Sequence, residues 1–174
     1  VRTALRRPLP GVAAQRTMAP QPRAFSVPMG TDPRRAAVLL LLYEREPESP
    51  TAYAGELCPR DGALHLALTL RPAHLGHHPG QVSLPGGGWE VGDASLQATA
   101  LREACEELGI CGDGLELLGP LTPLYVPPSN NLVHPFVAYS PERPAFRPDP
   151  AEVAELLEVP AAHFLDARQR REEV

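Results

Sequence analysis

Apolar residues fall in short runs separated by polar, proline-rich connections. Residues 36–43, AAVLLLLY, form the longest run, which fits a buried strand and is too short to cross a bilayer. Residues 63–70 begin with apolar alternation and predict a second strand, and the short run 81–87 predicts a strand that enters a glycine turn. Two more strands are predicted at 115–125 and 132–140.

Two further stretches have helical spacing. Residues 95–108 predict a helix, with Asp93 or Ser95 as its N-terminal cap and Gly109 at its end. Residues 149–166 predict a short second helix with a proline break. The order of strands, one helix, strands and one helix favours an α+β layered domain.

The first 30 residues differ from the rest. Residues 1–30 are rich in proline and arginine without a strong period, so we expect an N-terminal arm before a domain that spans 31–174. The arm has two places to pack, on its own domain or on a second subunit in a homodimer. Its pattern does not decide between them.

The charge balance narrows the set of partners. The chain has 174 residues and a net charge of −5, and all 16 of its basic residues are arginine. This balance argues against a general nucleic-acid or membrane-surface binder. A small anionic ligand would therefore need a local positive charge at its binding site, such as a metal ion or an arginine cluster.

The cysteines indicate a compartment. Cys58, Cys105 and Cys111 form no C-x-x-C pair, and an odd number without framework spacing predicts buried thiols in a reducing environment. The N-terminal residues contain no hydrophobic signal core. We therefore expect a cytoplasmic protein.

Three glutamates share one face of the predicted helix. At roughly 100° per residue, Glu103, Glu106 and Glu107 lie on one side and the apolar residues on the other. The ordinary interpretation is a solvated face. However, like charges at this spacing each cost a few tenths of a kcal/mol, and a helix C-terminus disfavours anions. A hard cation such as Mg²⁺, which prefers oxygen ligands, removes both objections.

The region around this helix resembles the Nudix box, G-x5-E-x7-R-E-U-x-E-E-x-G-U, where U is aliphatic. With Gly88 as the first residue, six later positions fall in register: Arg102, Glu103, Glu106, Glu107, Gly109 and Ile110. One position departs from the pattern, since the first glutamate of the box falls on Ala94. Glu90 and Asp93 lie close by and are the candidates for its replacement.

The resemblance implies a Nudix α/β/α sandwich around a mixed β-sheet. It also implies hydrolysis, dependent on Mg²⁺ or Mn²⁺, of a pyrophosphate that joins a nucleoside to another group. Glu103, Glu106 and Glu107 would hold the metal, and Arg102 would neutralise or orient one carboxylate. Family members differ in the general base: some use a glutamate of the box, and others an acid from a later loop. Here the later candidates are Glu152 and Glu155, although plain helix-surface acids fit equally well.

Residues 68–87 resemble the upstream signature of coenzyme A pyrophosphatases, L-L-T-x-R-[S/A]-x3-R-x3-G-x3-F-P-G-G. Six positions match at the correct spacing: Thr69, Arg71, Gly80, Pro85, Gly86 and Gly87. Three positions depart: Pro72, Gly76 and Leu84. Because Gly76 replaces an arginine suited to phosphate, His74, His77 or His78 would have to substitute, unless they are ordinary polar loop residues.

The residues assigned to substrate binding are Arg71, Gly80, Gly86, Gly87, Gly88 and His78. The expected reaction is cleavage of coenzyme A, or an acyl derivative, to 3′,5′-ADP and 4′-phosphopantetheine. Two alternatives stay open: a Nudix pyrophosphatase for ADP-ribose or NADH-like dinucleotides, and a non-catalytic nucleotide-binding module. The retained arginine and glutamates of the box favour an enzyme, because a binding module has no need of clustered carboxylates.

Overall fold

The computed structural model of this chain describes residues 1–17, 25–45, 63–73, 80–112 and 114–169. The elements follow in chain order: α1 (Arg2–Leu5), α2 (Val12–Arg16), β1 (Arg34–Arg45), β2 (Ala63–Leu70), β3 (Val82–Ser83), β4 (Gly86–Gly88), α3 (Leu96–Leu108), β5 (Glu116–Pro120), β6 (Leu124–Val126), β7 (Asn131–Ser140), β8 (Glu155–Pro160) and α4 (Ala161–Leu165).

The strands form one mixed sheet. Its main path runs β3-β2-β1-β7-β5, with β4 paired to β1, β6 to β7 and β8 to β2. The central pair, β1 and β7, is parallel, and the other pairs are antiparallel. The predicted α+β class with a mixed sheet is confirmed.

Both faces of the sheet are covered, which gives the expected α/β/α layers. Alternate β1 residues such as Leu39 and Leu41 are fully buried against α3, together with Ala104 and Leu108 of that helix. The intervening β1 residues face a second, smaller core that includes side chains from α1 and α4. The long apolar run of β1 is therefore explained by burial on both of its sides.

The helix α3 begins and ends where the sequence predicts. Ser95 is the cap, since its Oγ accepts a hydrogen bond from the Ala98 amide at 3.1 Å. Gly109 ends the helix in the left-handed conformation, at φ 71°. Asp93, the other candidate cap, has a different role that is described below.

Two predicted elements differ from the structure, and the first is wrong in kind. The helix predicted at 149–166 is a loop, followed by the strand β8 and the five-residue α4. Pairing of β8 along the edge of β2, from Glu155 opposite Leu70 onwards, outweighs the helical spacing of this stretch. The strand predicted at 115–125 is divided into β5 and β6.

The described part of the N-terminal arm packs on its own domain. Leu5 of α1 joins the second core, and the guanidinium of Arg2 pairs with Glu116 of β5. Gln15 of α2 donates from its Nε2 to the carbonyl of Thr122 at 3.1 Å. The boundary at residue 30 and the homodimer stay predictions.

Cys105 and Cys111 form a disulfide across the end of α3. The turn at Gly109 reverses the chain and leaves their Cα atoms 4.3 Å apart. The expectation of free, buried thiols is therefore wrong for these two residues, and Cys58 lies outside the described residues. None of the helices in the described ranges is long and apolar enough to cross a membrane.

Candidate active site

The glycine turn forms the short strand β4, which lies over the face of α3 that bears the glutamates. Gly86 pairs with Val38 of β1, and at its φ of 153° a Cβ atom would collide with the carbonyl oxygen of Ala37. Its amide instead donates to Oε2 of Glu107 at 3.2 Å. Only glycine fits this position, because the backbone of β1 approaches it directly.

Gly87 makes room for a second carboxylate. A Cβ atom at this residue would lie 2.5 Å from Oε1 of Glu103 and 2.6 Å from its carboxyl carbon. Gly88 differs, since nothing lies within 4 Å of the equivalent position. Gly86 and Gly87, which were predicted to bind substrate, therefore position the carboxylates: the Gly86 amide binds Glu107, and Gly87 leaves space for Glu103.

The guanidinium of Arg102 contacts several carboxylates of the site. Its Nη2 donates to the Gly88 carbonyl at 2.9 Å and lies 3.0 Å from Oε1 of Glu103. Its Nη1 donates to Oε2 of Glu106 at 2.8 Å. The expected orienting role of this arginine agrees with these contacts.

Asp93, one of the two candidates for the acid missing at Ala94, lies against Arg102. Its Oδ1 accepts from Nε of Arg102 at 3.0 Å, and its Oδ2 accepts from the amide of Glu90 and the hydroxyl of Thr99. These bonds, led by the one from Arg102, hold the pKa of Asp93 well below its usual range. Of the two candidates, Asp93 contacts Arg102 through its carboxylate, whereas Glu90 is exposed and contacts Asp93 through its backbone amide and carbonyl.

The three glutamates differ sharply in exposure. Glu107 is buried, with 3% of its surface exposed, whereas the side chain of Glu106 is 53% exposed. Burial raises the pKa of Glu107 to about 7; the Gly86 amide and Arg71 oppose the rise, and Glu103 adds to it. Burial also raises the pKa of Glu103, against the effect of Arg102. The solvated-face interpretation is therefore wrong for Glu107.

Arg71 reaches the same carboxylate from the end of β2. Its Nη1 lies 3.9 Å from Oε1 of Glu107, and its backbone pairs with Gly80 and Gln81. The Nε of Arg71 is buried and has no hydrogen-bond acceptor among the described residues. The Arg71 side chain is 26% exposed, and its guanidinium is suited to a phosphate oxygen of a ligand.

Glu152 is an exposed residue of a loop rather than of the predicted helix. The amides of Arg147 and Asp149 donate to the last carbonyls of α3, and the amide of Ala154 donates to Leu70 of β2. Held at both ends, the loop places Glu152 near enough to raise the pKa of Glu103 and of Glu107. The other candidate base, Glu155, is an exposed residue of β8.

Of the predicted substrate residues, His78 lies outside the described residues, as do His74 and His77. Gly80 closes the turn between β2 and β3, where its amide donates to the Arg71 carbonyl at 3.1 Å. Gly88 contributes its carbonyl to Arg102.

The described residues contain no group of three or more histidine, cysteine or acidic side chains arranged to hold a metal ion. The donors present nevertheless suit Mg²⁺ or Mn²⁺. Glu103 and Glu107 are hard oxygen donors with raised pKa values, so a cation would stabilise both. Because Mg²⁺ commonly uses one or two carboxylates and completes its shell with water and substrate phosphate, a full protein cage is not required.

The sequence left Asp93 as one of two candidates and did not single out Trp89. Asp93 could have been identified by its position nine residues before Arg102, because the turn that leads into α3 brings the two side chains together. Trp89 directly follows the glycine turn and lies under the guanidinium of Arg35.

A mixed sheet with a box helix on one face and further helices on the other defines a Nudix-type sandwich. Residues 33–174 match the model of the NUDIX domain, and the chain belongs to this family. The expected family is thus confirmed.

Curated relatives agree with this family. The Nudix hydrolase NudL of Photorhabdus laumondii, named as uncharacterized, is 42% identical over 113 residues, which cover 60% of this chain and 60% of that protein. A mitochondrial coenzyme A diphosphatase of Homo sapiens is 37% identical over 116 residues, which cover 66% of this chain and 49% of the relative. The chain thus spans about half to three fifths of the length of these relatives.

A solved structure supports the fold. The crystal structure of the Nudix hydrolase RenU from M. smegmatis superposes with a TM-score of 0.55 at 22% identity, covering 76% of this chain and 73% of that one.

Proposed function

We propose that this chain is a Nudix pyrophosphohydrolase that depends on Mg²⁺ or Mn²⁺ and cleaves coenzyme A or an acyl derivative. Water would add across the diphosphate to give 3′,5′-ADP and 4′-phosphopantetheine. The observation that carries the proposal is the placement of Glu103 and Glu107 under a glycine turn, with raised pKa values, beside the part-exposed guanidinium of Arg71. This arrangement is incomplete without a cation and an anion.

The substrate class is supported by two independent features. Arg71 and the turn at Gly86 match the upstream signature and both contact Glu107. The human relative bears the name of a coenzyme A diphosphatase. These features favour coenzyme A over ADP-ribose or NADH-like dinucleotides, and the experiment below tests all of these substrates.

Each group has a role that follows from its position. Glu103 and Glu107, with Glu106 at the exposed end of the face, would hold the metal. A bound Mg²⁺ or Mn²⁺ offsets phosphate charge and lowers the pKa of a bound water. Arg71 would bind a phosphate oxygen, and Arg102 would position the carboxylates. Glu152 is the proposed general base, since its loop is anchored to both α3 and β2.

The experiment offers coenzyme A, ADP-ribose, NADH and diadenosine polyphosphates to the protein with Mg²⁺ or Mn²⁺ and identifies the products by mass. We expect selective cleavage of coenzyme A. Glu152→Gln should lower kcat by about 10²- to 10⁴-fold, the usual contribution of a general base. Glu155→Gln, an exposed neighbour on β8, is the matched control and should retain activity.

Thermal unfolding with and without metal separates an enzyme from a binding module. We expect Mg²⁺ or Mn²⁺ to raise the Tm of the wild type and not that of Glu107→Gln. Turnover of another substrate would keep the mechanism and discard coenzyme A. If nothing is cleaved and no metal shifts the Tm, the chain is a nucleotide-binding module instead.

A further inference from the structure

The single tryptophan of the chain lies at the edge of the candidate active site. Trp89 directly follows Gly88, whose carbonyl accepts a hydrogen bond from Arg102, and lies four residues before Asp93, whose carboxylate also binds Arg102. The backbone amide of Trp89 donates to the Arg35 carbonyl at 2.9 Å, and its Nε1 donates to the Asp93 carbonyl at 3.3 Å. Both bonds hold the half-buried indole in one orientation.

Arg35 covers the face of this ring. The centre of its guanidinium lies 4.2 Å from the ring centroid, and Arg35 itself is exposed at the start of the central strand β1. A guanidinium is planar and always charged, so it can stack on an aromatic ring while it attracts an anion. The pair therefore presents a flat, cationic surface next to the proposed diphosphate site.

A titratable residue of β7, His134, lies close enough to Arg35 to be affected by its charge. Ala37 is opposite His134, and Arg35 is two residues before Ala37, so Arg35 and His134 lie on the same face of the sheet. Burial, together with the nearby charge of Arg35, lowers the pKa of His134 and favours its neutral form. The guanidinium of Arg35 therefore remains the cationic group of this surface.

We propose that the Arg35–Trp89 pair is the nucleobase subsite, on which the base of the nucleotide half stacks while its phosphates reach Arg71 and the metal carboxylates. This inference rests on the proposed function only in taking the ligand to be a nucleotide. Two features support it: the fixed ring and the exposed planar cation above it. Stacking of this kind tolerates different bases, so for coenzyme A the stacked base would be adenine.

The chain reports on this subsite directly, because its tryptophan fluorescence comes from Trp89 alone. The wild type is titrated with 3′,5′-ADP and 5′-AMP, which have a base, and with ribose 5-phosphate and inorganic pyrophosphate, which have none. None of these titrations requires turnover. We expect a saturable change in fluorescence with the two nucleotides and little change with the base-free phosphates.

Variants test whether the pair itself binds the base, with affinity for 3′,5′-ADP measured by calorimetry. Trp89→Leu should weaken binding by about 5- to 150-fold, the range expected for loss of one stacked base. Arg35→Lys keeps the charge on an exposed residue but loses the planar group, so it should weaken binding without affecting folding. Arg34→Ala is the matched control; Arg34 is the exposed neighbour whose Nη2 donates to the Ser129 carbonyl, and its loss should leave affinity unchanged.

Two results would overturn the inference. One is a fluorescence response to base-free phosphate as large as that to 3′,5′-ADP. The other is unchanged affinity for 3′,5′-ADP in Arg35→Lys and Trp89→Leu. The pair would then only stabilise the glycine turn and would not bind the base. If the wild type binds nucleotides at this surface but cleaves none of the substrates offered, the subsite stands and the proposed hydrolase activity fails.

Discussion

Two adjacent glycines of β4 offer a sharp test of how the candidate site is built. Gly87→Ala would place a methyl group 2.5 Å from Oε1 of Glu103, 2.6 Å from its carboxyl carbon and 2.7 Å from Oε2. Gly88→Ala would place the same methyl group where nothing lies within 4 Å. The two variants have the same chemistry in the same strand, and only one touches a proposed metal carboxylate.

The size of the effect follows from the geometry. Ordinary contact with a Cβ atom begins at 3.4 Å, so the Glu103 carboxylate must move by roughly 1 Å. The colliding atoms are the end of a flexible side chain, so the stability cost is only about 1 kcal/mol, the cost of a strained or changed rotamer. The functional cost is larger, because a displacement of about 1 Å in a reacting group can lower the rate by about 10²-fold.

The assay compares kcat/KM on the best substrate, and the shift of Tm by Mg²⁺ or Mn²⁺, for the wild type and both variants. We expect Gly87→Ala to lose about 10²-fold in kcat/KM and most of its metal-induced shift, while its metal-free Tm changes little. Gly88→Ala should behave as the wild type in all three measurements.

Two outcomes would refute this reasoning. If Gly87→Ala keeps the activity and metal response of the wild type, the position of Glu103 does not matter for function. If both variants lose activity equally, the turn acts through its backbone and not through the space that it leaves for this carboxylate.

Three further predictions address other parts of the molecule. Asp93→Asn should lower kcat/KM by about 10- to 100-fold, as expected for loss of a group that orients the site, and adding Ala94→Glu should not restore it, since Ala94 is exposed. Hydrogen bonds from Arg143 and Tyr43 outweigh burial and lower the pKa of Glu158, so Glu158 stabilises the fold above a pH of about 4.5 and less below it. The difference in unfolding free energy between wild type and Glu158→Gln, measured in urea, should therefore narrow as the pH falls through this value; a constant difference would contradict the assignment. In the folded protein without reductant, iodoacetamide should modify at most one of the three cysteines, since the other two form the disulfide at the end of α3, and modification of all three would contradict that bond.

Local features were predictable from the sequence because their causes lie within a few residues. The helix α3 was predicted to within a residue from its apolar spacing, its serine cap and its terminal glycine. The limits of β2 were predicted in full from a run of alternating apolar residues. The helical spacing of Glu103, Glu106 and Glu107 predicted that they share one face of α3, but it did not predict that Glu107 is buried and Glu106 exposed.

Other features depended on partners distant in the chain. The stretch that forms β8 has helical spacing. It forms a strand because it can pair with the edge of β2, more than 80 residues earlier, and this pairing outweighs the helical preference. The same pairing holds the preceding loop, and therefore Glu152, beside α3. No periodic pattern within the loop could indicate that position.

The sequence by itself determined the class of this protein, since helix period, caps and box spacing are short-range properties written in consecutive residues. The tertiary structure alone decided which acid faces Arg102, how deeply Glu107 is buried and which cysteines pair. Those outcomes depend on where the glycine turn passes over α3 and on how strands far apart in the chain pair. Desolvation and close approach, which raise the pKa of Glu107 and leave no room beside Gly87, arise only when those distant segments meet.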